Sequence, residues 1–241
     1  AFRSSLVNGR SGPNMREIPR PRHAVAAALL IGSAGSVPAE IIDLGAGTTE
    51  YAIYSAGVIR HTGVLAVGGD HVSNDLAYGL KVPLGRAEQL KIEHGSAIID
   101  PEANNRTVDL STDSVIPGKK VNLGHLQMIM SMRLQETFEL IAKDIEQAGL
   151  IDYLRAGVVL CGGGARTPFI TRLARDVFGL PSAIGRSSTV SGIKNALDEP
   201  EFATPVGLIK FGAFQSQTAP RREGFGRAIR KQFASLFGGK K

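Results

Sequence analysis

The chain predicts an α/β fold. Short runs of β-branched and aliphatic residues alternate with stretches whose apolar residues recur three and four apart. Two of the short runs stop at glycine-rich turns, Asp43-Leu44-Gly45-Ala46-Gly47-Thr48-Thr49 and Cys161-Gly162-Gly163-Gly164-Ala165. A single stretch over 123–147 keeps the helical period for its whole length. At 241 residues and 25.5 kDa the size suits one large domain or two small ones.

Taken in order, residues 1–38 are left unassigned. Residues 1–22 are rich in Arg, Pro, Gly and Ser without periodicity and read as loop or disorder. The apolar run at 24–31 is too short to cross a bilayer. With Met15 as a start it imitates a secretory signal, an alternative that fits poorly with phosphate-gripping turns, because ATP is not available outside the cell. Ile41 and Ile42 open a strand that enters the first glycine turn. Residues 51–54, 58–61 and 64–67 then predict a meander of three strands. Residues 70–78 space Val72, Leu76 and Ala77 as a helix, with Asp70 as its N-cap. Residues 86–94 predict another helix, and the polar stretch 100–120 a small strand-and-loop insertion. The long helix over 123–147 places apolar residues at 126, 129, 130, 134, 138, 141 and 145, and Gly149 closes it. A strand at 157–160 leads to the second turn, and an amphipathic helix follows at 168–178. No internal repeat is visible.

Charge narrows the partners. The formal net charge is +6, but from Pro220 onward seven Lys or Arg stand against one Glu. Residues 39–219 carry a mild negative excess, so basicity belongs to the two ends and no nucleic-acid groove is expected in the body. The single Cys161 excludes an intrachain disulfide and suits a reducing cytoplasm.

The motifs suggest a ligand. Glycines after a strand let backbone amides approach phosphate without a Cβ in the way. In the first turn the amides of Gly45, Ala46, Gly47, Thr48 and Thr49, with the two threonine hydroxyls, would face phosphate oxygens, and Asp43 would hold Mg2+ through water. A tight hairpin capped by Asp43 accounts for the same residues equally well. Gly162, Gly163, Gly164 and Ala165 would grip the nucleotide from the other side, or serve only close strand-to-helix packing. Between them Glu88 and Lys91 stand three apart on one helical face. There the carboxylate can accept ribose hydroxyls while the lysine stem packs on adenine. A solvated ion pair is the plainer alternative.

Phosphate turn, Glu-x-x-Lys helix and Gly-Gly-Gly-Ala turn follow one another in the order of the second half of the ATPase fold shared by actin and the heat-shock chaperones. More narrowly, the chain resembles the FtsA family of bacterial actin homologues. The resemblance rests on Ile42 to Thr49, Arg60-His61-Thr62, the stretch Val67-Gly68-Gly69-Asp70-His71-Val72-Ser73-Asn74-Asp75-Leu76-Ala77, Ala87 to Lys91, Gly95-Ser96-Ala97, Val158 to Ala165 and Thr204 to Leu208. The His-Thr and Asn-Asp-Leu-Ala stretches are more typical of this family than of MreB or the chaperones. Ala46 stands where the family usually has glycine, and Cys161 where threonine is common. The resemblance implies an actin-like (ribonuclease H-like) core subdomain at 39–83 and 123–214, interrupted by an insertion subdomain at 84–122. It also implies ATP and Mg2+ as cofactors, and as partners FtsZ, further copies of the chain in a polymer, other division proteins and the anionic inner membrane. The location would be the cytoplasmic face of the cell membrane at the division site. In the family a first phosphate turn lies upstream. Nothing in residues 1–38 resembles it, so the two glycine turns and the Glu88–Lys91 helix are expected to form one wall of the nucleotide site, with at most a weak ATPase activity.

The basic tail adds a second prediction. A linker at 215–223 precedes a short amphipathic helix within 224–241. On a helical wheel Phe225, Ile229, Phe233 and Leu236 fall within an arc of about 80 degrees, with Phe237 at its edge. Arg227, Arg230 and Lys231 occupy the opposite side. That pattern suits a helix lying among anionic headgroups. A helix docked on the protein's own core, or one touching nucleic acid, has the same amphipathicity. Two functions follow: a membrane-tethered, ATP-binding scaffold, or an ATPase in which Asp43 positions Mg2+ and hydrolysis drives a conformational cycle. The tail favours the scaffold, because a chaperone would continue into a substrate domain. A sugar kinase would need an acceptor pocket, for which no residues are found.

Overall fold

The computed structural model describes residues 39–55, 58–110, 118–151, 154, 157–185 and 198–218. Strand β1 (Ala39–Leu44) does not alternate apolar with polar because it is covered on both faces. Ile42 and Leu44 join the main core on one face, and Ile41 packs with Cys161, Ala203 and Val206 on the other. The chain reverses through residues 45–48, and β2 (Thr49–Ser55) returns antiparallel with Thr49 opposite Leu44.

Strand β3 (Val58–Leu65) is one strand and replaces the two that the sequence suggested. Gly63 reads as a turn residue but lies inside the strand opposite Tyr51, whose ring fills the space a side chain would need. A Cβ there would stand 2.1 Å from that ring. Glycine in a strand here marks a close approach, not a break.

Helix α1 (Gly69–Leu80) begins a residue earlier than expected, and Asp70 is not its N-cap. Gly68 holds that position, and its amide donates to His71 Nδ1 at 3.2 Å. The first turn sets this start: the amides of Gly69 and Asp70 donate to the carbonyl oxygens of Gly45 and Ala46 at 3.0 and 2.8 Å. Orphan donors at a helix start are thus satisfied by the hairpin tip. Helix α2 (Leu84–His94) follows after Pro83 and packs against α1. A small hairpin, β4 (Thr107–Asp109) with β5 (Lys120–Asn122), occupies the stretch where strand and loop were expected.

Helix α3 (Leu123–Gln147) matches its predicted span. The Asn122 side chain accepts from the His125 amide at 2.9 Å and caps its start. Its end is a Schellman closure: Leu150 donates to Ile145 O and Gly149, at φ +68°, to Glu146 O. Leu126, Met130, Leu134, Phe138, Ile141 and Ile145 are buried along one stripe, and Ile129 is partly buried beside them. Strand β6 (Val158–Cys161), helix α4 (Ile170–Phe178) and strand β7 (Ser182–Ile184) complete a strand–helix–strand unit. Phe138 of α3 meets Phe178 of α4 with ring centroids 5.6 Å apart.

The sheet order is β3-β2-β1-β6-β7, with β1, β6 and β7 parallel and the hairpin strands antiparallel. Helices α1, α3 and α4 supply buried residues to the core on one face, and α5 (Ala203–Thr218) covers the other. Helix α5 runs to Thr218, so the linker expected from residue 215 starts inside it. The expected amphipathic helix at 224–241 and its membrane residues lie outside the described residues, as do residues 1–38.

Candidate functional site

Parallel pairing of β1 with β6 brings the two glycine turns side by side at the carboxyl ends of neighbouring strands, Asp43 opposite Cys161. Ligand clefts of open α/β sheets form at such strand ends. Here a cleft of about 440 Å³ opens between the turns. Gly45, Ala46 and Thr49 line it from the first turn, Gly163 and Gly164 from the second, and Glu88 and Lys91 from α2. Val72, Ile92, Met130 and Leu134 give it an apolar side.

The other expected residues sit behind or beside this wall. Gly47 and Thr48 are exposed at the hairpin tip, and Ala165 is buried beneath the second turn. Thr49 is buried, and its hydroxyl donates to the Val67 carbonyl at 2.8 Å, so it braces the turn. The amides of Ala46, Gly47 and Thr48 make no hydrogen bond among the described residues. That leaves three adjacent donors at the hairpin tip, of which Ala46 lines the cleft. The Gly45 amide is already bonded to Thr48 O at 3.0 Å.

Asp43 points to the α5 side of the sheet. Its Oδ2 accepts from the Thr204 hydroxyl at 2.6 Å, and a Cβ on Gly162 would stand 2.3 Å from its Oδ1. Among the described residues no group of three or more His, Cys, Asp and Glu side chains gathers as a metal-ligand set. Mg2+ is held through one or two carboxylates, water and phosphate, and Asp43 is the carboxylate that ends β1 beside the first turn.

Glu88 and Lys91 form the ion pair their spacing suggested, at 2.7 Å, but the ammonium is also tied elsewhere. Lys91 Nζ donates to Gly69 O at 3.0 Å and to Ser73 Oγ at 2.8 Å. Burial pushes the Glu88 carboxyl up, but hydrogen bonds from Lys91 and Ser73 and the lysine charge outweigh it and hold it below the usual carboxylate range. Sequence inspection missed Ser73, which sits one turn after Gly69 on the buried side of α1 with Val72 and Leu76. It also missed Arg166 at the cleft rim. There the guanidinium grips Glu201 in a fork, at 2.9 and 2.6 Å, with Glu199 at 3.2 Å.

A second polar cluster lies on the same sheet face away from the cleft. Asp144 Oδ2 accepts from the Tyr51 hydroxyl and lies 2.6 Å from His61 Nε2. Burial would raise the Asp144 carboxyl, but Tyr51 and His61 lower it further than burial lifts it.

An open sheet with a hairpin turn and a parallel-strand turn flanking one cleft defines an actin-like α/β fold. The structure of MreB5 of Spiroplasma citri bound to ADP superposes with TM-score 0.64 at 22% identity, covering 82% of this chain and 61% of that one. The same protein bound to AMPPNP gives 0.63 at 24%, covering 81% and 59%. The family model for cell division protein FtsA matches residues 41–207, and the chain belongs to the FtsA family. Cell division protein FtsA of Pseudomonas aeruginosa is 31% identical over 172 residues, 71% of this chain and 41% of that protein. The Borreliella burgdorferi protein is 35% identical over 173 residues, covering 70% and 41%, and that of Escherichia coli K12 30% over 179, covering 71% and 43%. The chain spans about two fifths of the length of these curated relatives.

Proposed function

We propose that the cleft is one wall of an adenine-nucleotide site in an FtsA-type scaffold. The scaffold would polymerise, tie the FtsZ ring to the cytoplasmic face of the inner membrane and help recruit other division proteins. One observation carries the nucleotide assignment: the Glu88–Lys91 helix face and both glycine turns converge on a single cleft beside three unengaged amides. The ADP and AMPPNP named with the two MreB5 structures support it.

Each group has a part in binding. The amides of Ala46, Gly47 and Thr48 would hold phosphate oxygens, the apolar side would take the base, and Glu88 would accept ribose hydroxyls. The charge of Lys91 is engaged by Glu88, Ser73 and Gly69, which leaves its stem to pack on the base. Mg2+, when bound, would neutralise phosphate charge, and Asp43 is the residue that would hold it through water.

The assignment is tested on the full chain by ATP binding in equilibrium dialysis together with phosphate release. Saturable binding with slow release is expected. Steady turnover above about 1 per second would refute the scaffold-only role. The membrane part is tested by sedimentation with anionic vesicles. A chain cut after Gln217 should stay in the supernatant, and undiminished pelleting of that chain would refute the tether.

A further inference from the structure

Ser73 is 2% exposed, yet all its polar contacts lead to groups of the cleft. Its hydroxyl donates to Glu88 Oε2 and accepts from Lys91 Nζ at 2.8 Å, and its Oγ lies 3.1 Å from the Gly69 carbonyl oxygen. Lys91 Nζ also lies 2.7 Å from the same Glu88 Oε2. Two donors therefore converge on one carboxylate oxygen. Glu88 Oε1 makes no hydrogen bond among the described residues, and the Glu88 side chain is 43% exposed along the cleft wall. A carboxylate pinned through one oxygen cannot turn without breaking both bonds, so its other oxygen is a fixed acceptor.

The same contacts reach the first turn. Gly69 accepts from Lys91 through its carbonyl and donates through its amide to Gly45 O at 3.0 Å. A buried hydroxyl between two helices has a desolvation cost that alanine, the better helix former, would avoid. The serine is explained by what it holds.

We infer that Ser73 is a positioning residue that presents Glu88 Oε1 to the ribose hydroxyls of a bound nucleotide and so sets the preference for a ribose over a sugar lacking those hydroxyls. This rests on the nucleotide site proposed above. Ser73 touches no ligand itself. It acts by fixing where the unbonded oxygen of Glu88 lies and by locking α2 to the turn that carries the proposed phosphate donors. A hydrogen bond to a charged acceptor that is preformed in this way carries a larger share of discrimination than one that must be ordered on binding.

The test measures ADP and 2′,3′-dideoxy-ADP binding to the full chain by calorimetry, for wild type, Ser73→Ala and Ser73→Thr. Wild type should prefer ADP by about tenfold or more, the value of one charge-assisted hydrogen bond. Ser73→Ala should lower ADP affinity and bring the ratio close to one, and Ser73→Thr, which keeps a hydroxyl, should restore it. If Ser73→Ala melts below the assay temperature, Ser73→Cys takes its place, nearly isosteric and a weak donor. A variant that weakens both nucleotides equally, with the ratio intact, would make Ser73 merely structural and overturn the inference. Wild type binding both nucleotides equally would overturn it while leaving the nucleotide site standing. Wild type binding neither would refute the site and the inference together.

Discussion

The two glycine turns look alike in sequence and are built for different work. The first is a hairpin tip whose carbonyls are taken by the start of α1 while its amides at 46–48 stay unengaged. The second is a strand end pressed against its neighbour. Gly162 sits at φ +81°, with its amide bonded to Pro200 O at 2.9 Å and a Cβ there 2.3 Å from Asp43 Oδ1. Gly164 would bring a Cβ to 2.7 Å from Leu44 Cβ. Packing accounts for Gly162 and Gly164, while around Gly163 a Cβ would find open space. Under the nucleotide site proposed above, glycine after a strand would serve ligand approach in one turn and backbone approach in the other. Only the hydrogen-bond accounting separates them.

The largest effect should come from the second turn. Gly162→Ala combines a left-handed φ with backbone overlap and is expected to cost about 3 kcal/mol or more in denaturant unfolding. A loss below about 1 kcal/mol would mean that this turn is as permissive as the first.

Next comes the strand that joins them. Glu40 on β1 is fully buried, neither carboxylate oxygen has a hydrogen-bond partner among the described residues, and burial pushes its carboxyl up from 4.5 to about 8. Between those values the folded state keeps a proton that the unfolded state has lost. Stability is therefore full below about 4.5, falls as pH rises to about 8, and is level above. Melts at pH 5 and pH 8 should show a loss of about 3 kcal/mol in wild type that is absent in Glu40→Gln. Parallel pH profiles for the two proteins would contradict the buried, unpartnered carboxyl.

Gly68→Ala tests the support of the first turn, because its Cβ would lie 2.4 Å from the Ala46 oxygen. About 2 kcal/mol of stability should be lost, and ADP affinity should fall with it as the hairpin tip shifts. The smallest effect is expected at Gly47→Ala, where nothing lies within 4 Å. Its unfolding free energy should stay within about 0.5 kcal/mol of wild type.

What the sequence revealed follows the range of the interactions. Helix α3 was legible because its period and the closure at Gly149 are both local, while the cap at Asn122 was not read from the sequence. The two turns and the Glu88–Lys91 pair were legible as residue patterns. Strand β3 was misread because the ring that makes Gly63 necessary comes from Tyr51, on another strand. The N-cap at Asp70 failed for the same reason, since the first turn lies more than 20 residues upstream of the donors it takes. The bond of Asp43 to Thr204 spans 161 residues, and that of Ser73 to Glu88 spans 15 between helices. No local period encodes either.

Of the two turns, the first is the one proposed to grip phosphate. Amide chemical shifts of the full chain, followed by NMR during titration with ADP, test this most directly. The largest changes should fall on Ala46, Gly47 and Thr48, with smaller ones at Gly163 and Gly164 and little at Gly162. Saturation with ADP that leaves the amides at 46–48 unmoved would contradict it.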